Sequence, residues 1–401
     1  MKWSKRVSAI SPSPSFAVSA KIREMRAQGR DVLDLGVGEP DFPAIAEAKA
    51  AAHAAIDGDR SHYTPTPGTA ELREAVAAAH RRFHGTDAKA EEVVVGCGAK
   101  AVLYELLQSL VDPGDEVVVS TPYWVSFPAQ VSLAGGTFVE AKTDPEDGFV
   151  PRAAQIEAVL TERTSVVLVN SPCNPTGAVM PAEEVEALVR LCASRDLPLI
   201  FDEVYDRFVY DGEHVSPLRY RELHPDGLAC VSAASKSFAM TGWRLGWGLL
   251  TGELAKTVAR LQGHVTSGPN SLAQAAATAA CRDGADGVAA MVEEFRARRE
   301  LTLEGLAQVE GVRCLRPQGA FFAFPSIDLG TGGVVDSGAL ATHLLEETGV
   351  GLLPGTAFGL EGHLRFSYAV SREELGEALS RFGEEMARLR TDPGRLATTP
   401  R

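Results

Sequence analysis

Residues 92–121 read EVVVGCGAKAVLYELLQSLVDPGDEVVVST. EVVVG is a β-branched strand that runs into a glycine-rich loop. AKAVLYELLQSLV carries apolar residues at helical spacing. DPGDE marks a turn before a second valine-rich strand, DEVVVS. The pattern then continues. TSVVLVN is a strand followed by the loop SPCNPTG, AEEVEALVRLCASR is a helix, and LPLIFDEVY is a strand with a polar end. GLACVSAAS and LGWGLL add two more strands. Strands and helices that alternate, with strands that are apolar throughout, indicate a mostly parallel sheet covered on both faces. Ligands of such sheets bind at loops beyond the carboxyl ends of the strands. The polar groups NSPCNPTG, DEVY and SKS all fall there.

Before this region, FAVSAKIREMRAQG reads as a helix stopped by Gly29. DVLDLGVGEPDF is a short strand running into a Gly/Pro loop. TAELREAVAAAHRRF has helical periodicity, with Thr69 as its cap. After residue 290 the alternation loosens. A long helix, MVEEFRARRELTLEGLAQV, precedes strand-like GAFFAFP, the helix SGALATHLLEETG, the strand HLRFSYAV and a last helix, REELGEALSRFGEEMARLR. This reads as a smaller α+β domain, with the helix near 285–310 as a bridge to it. RTDPGRLATTPR is polar and rich in breakers, a loose tail.

A chain of 401 residues with 45% apolar and 23% charged residues is long enough for two globular domains. Its net charge of −14 argues against binding along a nucleic-acid backbone, but not against a local basic pocket for one phosphate. The six cysteines are scattered, with no CxxC pair and no clustered histidines. They read as buried reduced thiols of a cytoplasmic protein. The opening MKWSKRVSAISPSPSF has no apolar run of signal-peptide or membrane-helix length.

Several residues stand out, each with a plainer alternative. Asp202 ends an apolar strand and is either a solvated strand end or a site acid, with Tyr205 three residues on. Glu203 alternates to the other side and reads as structural. Lys236, in SKSFAMTGWR (235–244), is either a snorkelling side chain or an amine of lowered pKa able to form a Schiff base. Desolvation and Arg244 would both lower it. Arg244 is a surface arginine or a phosphate clamp. The loop GCGAK (96–100) places backbone N–H groups at a helix start. Asn174 is held between rigid neighbours, and Trp124 offers a flat face for stacking. Arg365 is a charge within a strand pattern, either on a surface edge or facing a carboxylate. Together they fit a phosphorylated aromatic aldehyde bound as a Schiff base.

With these residues in place, GEPDF, YTPTPGTAELREAV, NSPCNPTGAV, DEVYDRFVYDG, SKSFAMTGWRLGW, GAFFAFP and LRFSYA resemble the fold-type I class I aminotransferases. The resemblance is greatest to the bacterial aspartate/prephenate branch, from about residue 3 to about 390. It implies a large domain with a mostly parallel seven-stranded sheet between helices, plus a smaller α+β domain. The divisions would be 1–45 (an N-terminal segment joining the small domain), 46–285 (large), 286–390 (small) and 391–401 (tail). It implies pyridoxal 5′-phosphate on Lys236, with Asp202 at the ring nitrogen, and Tyr205 and Asn174 at the ring oxygen. Trp124 would stack on the ring. Gly98, Ala99, Lys100, Ser235 and Arg244 would lie around the phosphate. Arg365 and Gly38, with Trp124 and Asn174, would meet the substrate. It further implies a homodimer in which Tyr63 reaches the neighbouring phosphate, amino-acid and 2-oxo-acid substrates, and no nucleic-acid or membrane partner. Ala233 stands where many relatives have a serine bound to the phosphate, so one phosphate contact is expected to be lost or rerouted. The segment ISPSPSF carries serines where the branch often has a lysine, and 264–271 (HVTSGPNS) has no arginine for a distal carboxylate, so strict dicarboxylate specificity is not expected. The same cofactor also serves elimination, replacement or cyclisation, which is the alternative reading. A ligand-binding regulator on this scaffold and a nicotinamide enzyme fit less well, for want of a DNA-binding domain and of a dinucleotide fingerprint.

Overall fold

The computed structural model describes residues 2–12 and 14–397. A short strand, β1 (Leu33–Asp34), precedes the main sheet. That sheet is built from β2 (Val93–Gly96), β3 (Glu116–Thr121), β4 (Thr137–Lys142), β5 (Thr164–Asn170), β6 (Leu199–Asp202), β7 (Leu228–Ala233) and β8 (Gly246–Leu250). Their order is β2-β8-β7-β6-β5-β3-β4, and only β8 runs against the others. Side chains alternate strictly between two cores. Val118, Val167 and Phe201 join the core under the helices Ala46–Asp57, Ala70–His84, Ala182–Ser194 and Ser271–Asp283. Val119, Leu168 and Ile200 join the core under Ala99–Leu110, Phe127–Ala134 and Leu254–Val265. This is the doubly covered sheet that the apolar strands imply.

Six of the seven strands coincide with the apolar runs. The seventh, β4, has the sequence TFVEAK, lies at the sheet edge and is mostly half-buried, so it lacks the apolar signature. The run LPLIFDEVY leaves the sheet at Asp202 rather than continuing to Tyr205. There the Asp202 Oδ1 accepts the Val204 N–H at 3.1 Å and turns the chain. Lys236 likewise lies just past β7, on a single helical turn, Ala234–Ser237.

The remaining strands are β9 (Val312–Arg313), β10 (Phe322–Ala323), β11 (Ser326–Ile327), β12 (Val350–Gly351), β13 (Leu353–Pro354) and β14 (Leu364–Ser367). They form a three-stranded antiparallel sheet, β10-β14-β13, and the ribbon β9-β11, while β12 pairs parallel with β1. The helices Ala285–Ala307 and Arg372–Thr391 pack on each other over a phenylalanine-rich core that includes Phe295, Phe321, Phe366 and Phe382. Two expectations need correction. The tail begins with a further helical turn, Gly394–Ala397, whose Arg395 reaches Glu385; residues 398–401 lie outside the described part. Of the six unpaired cysteines, four are buried, but Cys97 and Cys314 are only half-buried.

The helix Ala70–His84 begins as its sequence dictates. The Thr69 hydroxyl accepts the Leu72 N–H at 3.3 Å, and Gly85 ends the helix in the left-handed region. Thr69→Ala is expected to cost about 1 kcal/mol in denaturant unfolding, the usual loss for an N-cap.

Candidate active site

Asn170, Asp202 and Ala233 end three neighbouring parallel strands. The first residue of the antiparallel β8, Gly246, pairs with both Ala233 and Gly96. The segment 234–245 therefore leaves the sheet and re-enters it on the same edge. This explains the spacing of Lys236 and Arg244: both belong to one loop over the strand ends. Arg244 adopts left-handed backbone angles (φ 54°, ψ 56°) just before the chain enters β8.

Lys236 Nζ donates to the Gly38 carbonyl. Burial draws its amine down to about 8, and Arg365, Arg244 and Lys100 act in the same sense, opposed by Glu39. Asp202 is buried, and burial pushes its carboxyl up to about 7, against the pull of Lys236. Tyr205 is buried with its hydroxyl beside Asn174, and burial raises its pKa. Asn170 fixes this corner. Its Oδ1 accepts the Asn174 N–H at 2.8 Å, and its Nδ2 donates to the Asp202 carbonyl at 2.9 Å.

Arg365 lies on β14, the central strand of its sheet, and is 3% exposed, which removes the surface-edge reading. Its Nη1 donates to Asn174 Oδ1 at 2.9 Å and its Nη2 to the Gly36 carbonyl at 2.6 Å. The guanidinium lies over the rings of Phe322 and Phe358. Its Nε is buried without a hydrogen-bond partner among the described residues.

At the other end, the helix Ala99–Leu110 starts from Gly98 (φ 87°) with no side-chain cap, so its first amides are open. A Cβ on Gly98 would sit 2.8 Å from Arg244 Nη2, and one on Gly246 would sit 2.3 Å from the Ala99 nitrogen. The two glycines thus bring a guanidinium against an uncapped helix start, a cradle for an anion. Lys100 Nζ stands 4.9 Å from the centre of the Trp124 ring, and Ser235 is buried nearby in sequence to Lys236. Tyr63 is 98% exposed.

The family model described as "Aminotransferase class I and II" matches residues 30–382. The chain belongs to this family. It is 42% identical to the aspartate/prephenate aminotransferase of Thermus thermophilus, over 96% of this chain and 99% of that one. It is 37% identical to the aspartate aminotransferase of Bacillus subtilis, over 95% and 98%. Among solved structures, the T. thermophilus aspartate aminotransferase with maleate superposes with a TM-score of 0.90 (42% identity, 96% and 99% covered). The aspartate aminotransferase of Rhizobium meliloti gives 0.92 (35%, 97% and 99%). The protein is thus a pyridoxal-phosphate-dependent aminotransferase of fold type I, and elimination, replacement or cyclisation is not favoured.

The residues of this aminotransferase fit that cofactor. The uncapped helix and Arg244 suit a phosphate, a buried carboxyl of raised proton affinity suits a ring nitrogen, and an amine of lowered pKa suits a carbonyl carbon. Sequence reasoning missed Glu39, whose Oε2 accepts the Thr241 hydroxyl at 2.6 Å and whose charge acts on Lys236. It also missed the Phe322–Phe358 bed of Arg365 and the Gly36 carbonyl. GEPDF contains Glu39 and GAFFAFP contains Phe322, but only the folded chain shows what they touch.

The Asp202 carboxyl gives a pH signature in the cofactor-free chain. Its folded pKa lies above its unfolded value, so stability present below about pH 4 is lost as the pH rises towards 7. Asp202→Asn keeps an acceptor for Val204 and removes the charge. Its unfolding free energy relative to wild type is expected to rise between pH 4 and 7 and level off above, as read by denaturant unfolding at each pH.

Proposed function

We propose that the enzyme moves an amino group between an α-amino acid and a 2-oxo acid, each held by its carboxylate at Arg365. The observation that carries this reading is the buried Arg365, with an unpartnered Nε, in one cluster with Asn174, Tyr205, Asp202 and Lys236. A buried cation set over two phenylalanine rings is a preorganised partner for a carboxylate. Gly38 adds a backbone contact beside it.

The bound cofactor supplies a carbonyl carbon to take the nitrogen and a protonated ring to withdraw electrons from the substrate's α-carbon. The chain's own residues do the rest. Gly98, Ala99, Lys100, Ser235 and Arg244 hold the phosphate, and Trp124 covers one ring face. Asp202 keeps a proton on the ring nitrogen. Tyr205 and Asn174 donate to the ring oxygen. Lys236 Nζ, drawn down to about 8, is partly neutral near pH 7 and takes the proton from the substrate α-carbon.

The same reading extends to a homodimer, in which Tyr63 reaches the partner's phosphate site. Its 98% exposure supports this. Tyr63 shares a polar hollow with Ser267, Asn270 and Ser271, where no arginine stands to meet a distal carboxylate. That supports a donor range wider than the aspartate of the relatives' names. The pairing of β1 with β12 supports grouping residues 1–45 with 286–390, apart from 46–285. Six unpaired cysteines support a cytoplasmic setting. Among the described residues, no helix is long and apolar enough to cross a membrane.

Titrating the yellow holoenzyme with an amino-acid panel tests the reaction: donors should bleach the visible band and yield their 2-oxo acids, and silence across the panel refutes it. Arg365→Leu should raise KM for every donor, by about a hundredfold, with the cofactor still bound. Mixing Lys236→Ala with Tyr63→Ala protein should restore about a quarter of wild-type activity if Tyr63 acts across a two-fold interface. No recovery would place Tyr63 in its own protomer's site.

A further inference from the structure

On the hidden side of β6 lies a group of buried ionisable side chains that amino transfer, as described, does not use. Glu203 follows Asp202 directly and so points to the opposite face of the strand end. It is fully buried. Its Oε1 lies 2.9 Å from His80 Nε2 and its Oε2 lies 3.0 Å from His214 Nε2. His80 comes from the helix Ala70–His84, and its Nδ1 is 2.8 Å from the Thr86 hydroxyl. With that hydroxyl donating, His80 is neutral and presents an N–H to Glu203. Burial pulls its pKa down, in agreement.

A second pair repeats the arrangement one turn further on. Asp206 Oδ2 lies 2.9 Å from His84 Nε2, while Asp206 Oδ1 accepts the hydroxyl of Ser237, the neighbour of Lys236, at 3.3 Å. The rings of His80, His84 and His214 stack edge to face, with centres 4.8 and 5.1 Å apart. One helix therefore ties down, from behind, both the segment after Asp202 and the turn that carries Lys236.

We propose that Glu203 is a positioning residue for Asp202: an anion pinned by two imidazoles, it anchors the strand end and keeps the Asp202 carboxyl basic enough to hold a cationic ring nitrogen. The inference rests on the role proposed above for Asp202. A fixed charge one residue away, on a fully buried side chain, is screened far less than it would be at the surface. Although burial opposes it, His80 and His214 hold the Glu203 carboxyl well below the usual carboxylate range. Glu203 in turn adds to the raised proton affinity that burial gives Asp202. The other groups around the pair are consistent with this. Glu203 also faces Asp206 and, across β7, the Cys230 thiol, whose pKa is raised by burial and by Glu203. Asp202 faces Lys236 and the Cys173 thiol.

Glu203→Gln tests this in the holoenzyme. Glutamine keeps the shape, and His214, whose Nδ1 is buried without a partner, can shift its proton to accept from the amide. The pH midpoint of the cofactor's visible absorbance should fall by about half a unit or more, because a negative charge near the cofactor is gone. Affinity for pyridoxal phosphate should fall several-fold. His80→Gln keeps a donor to an intact Glu203, so it should lower the melting temperature and leave the midpoint in place. A midpoint unmoved in Glu203→Gln, or moved equally in both variants, overturns the proposal. If Glu203→Gln does not fold, neutron diffraction from the deuterated wild-type holoenzyme decides. A bare carboxylate flanked by two N–D groups supports it, and a deuteron on Glu203 overturns it. Asp202→Asn separates the two readings. If it retains cofactor and spectrum unchanged, the role of Asp202 itself fails; if it loses them while Glu203→Gln shifts nothing, only this inference fails.

Discussion

At Gly246 the backbone of β8 passes so close to the amide of Ala99 that no side chain fits between them. The rest of the cofactor end depends on that contact. Because β8 is the one antiparallel strand, its start lies beside the ends of β2 and β7. The loop between β7 and β8 must then span a short distance over the sheet edge, with Lys236 near its beginning and Arg244 at its end. Gly98 completes the approach by leaving room for the guanidinium against the helix start. An amine and a phosphate anchor are thus set at a fixed separation by strand order and two missing Cβ atoms, before any side chain is chosen for chemistry.

Charge is distributed in the same economical way. A chain with a net charge of −14 gathers Lys100, Lys236, Arg244 and Arg365 around one edge of one sheet. Their mutual repulsion, added to burial, draws the lysine towards neutrality, and it also makes the pocket attractive to a phosphate and a carboxylate. The acids that face them are few and individually held: Asp202 by a backbone amide, Glu39 by the Thr241 hydroxyl.

The sheet was legible because its strands are buried on both faces and therefore read as unbroken apolar runs. β4 was not, since an edge strand with half-buried side chains has no such run. The helix Ser271–Asp283 also passed unread. It buries Ala273, Ala276, Ala277 and Ala280, and small side chains give little contrast between a helix's two faces. At the site, residues with unusual chemistry for their surroundings, such as Lys236 after a buried strand and Arg365 within one, could be picked out. Partners that matter only by proximity could not. Glu39, Gly36 and Phe358 are ordinary residues outside the strands until the chain folds around Lys236 and Arg365.

The Arg365 clamp is drawn from three distant stretches: Gly36 from the amino-terminal segment, Asn174 from the loop after β5, and the arginine from β14. The Lys236 amine leans on the same amino-terminal loop through Gly38. The phosphate cradle takes nothing from that loop. Changes in the first forty residues therefore reach the Arg365 cluster and the Lys236 amine together, while the residues at the Gly98–Ala99 helix start stay as they are.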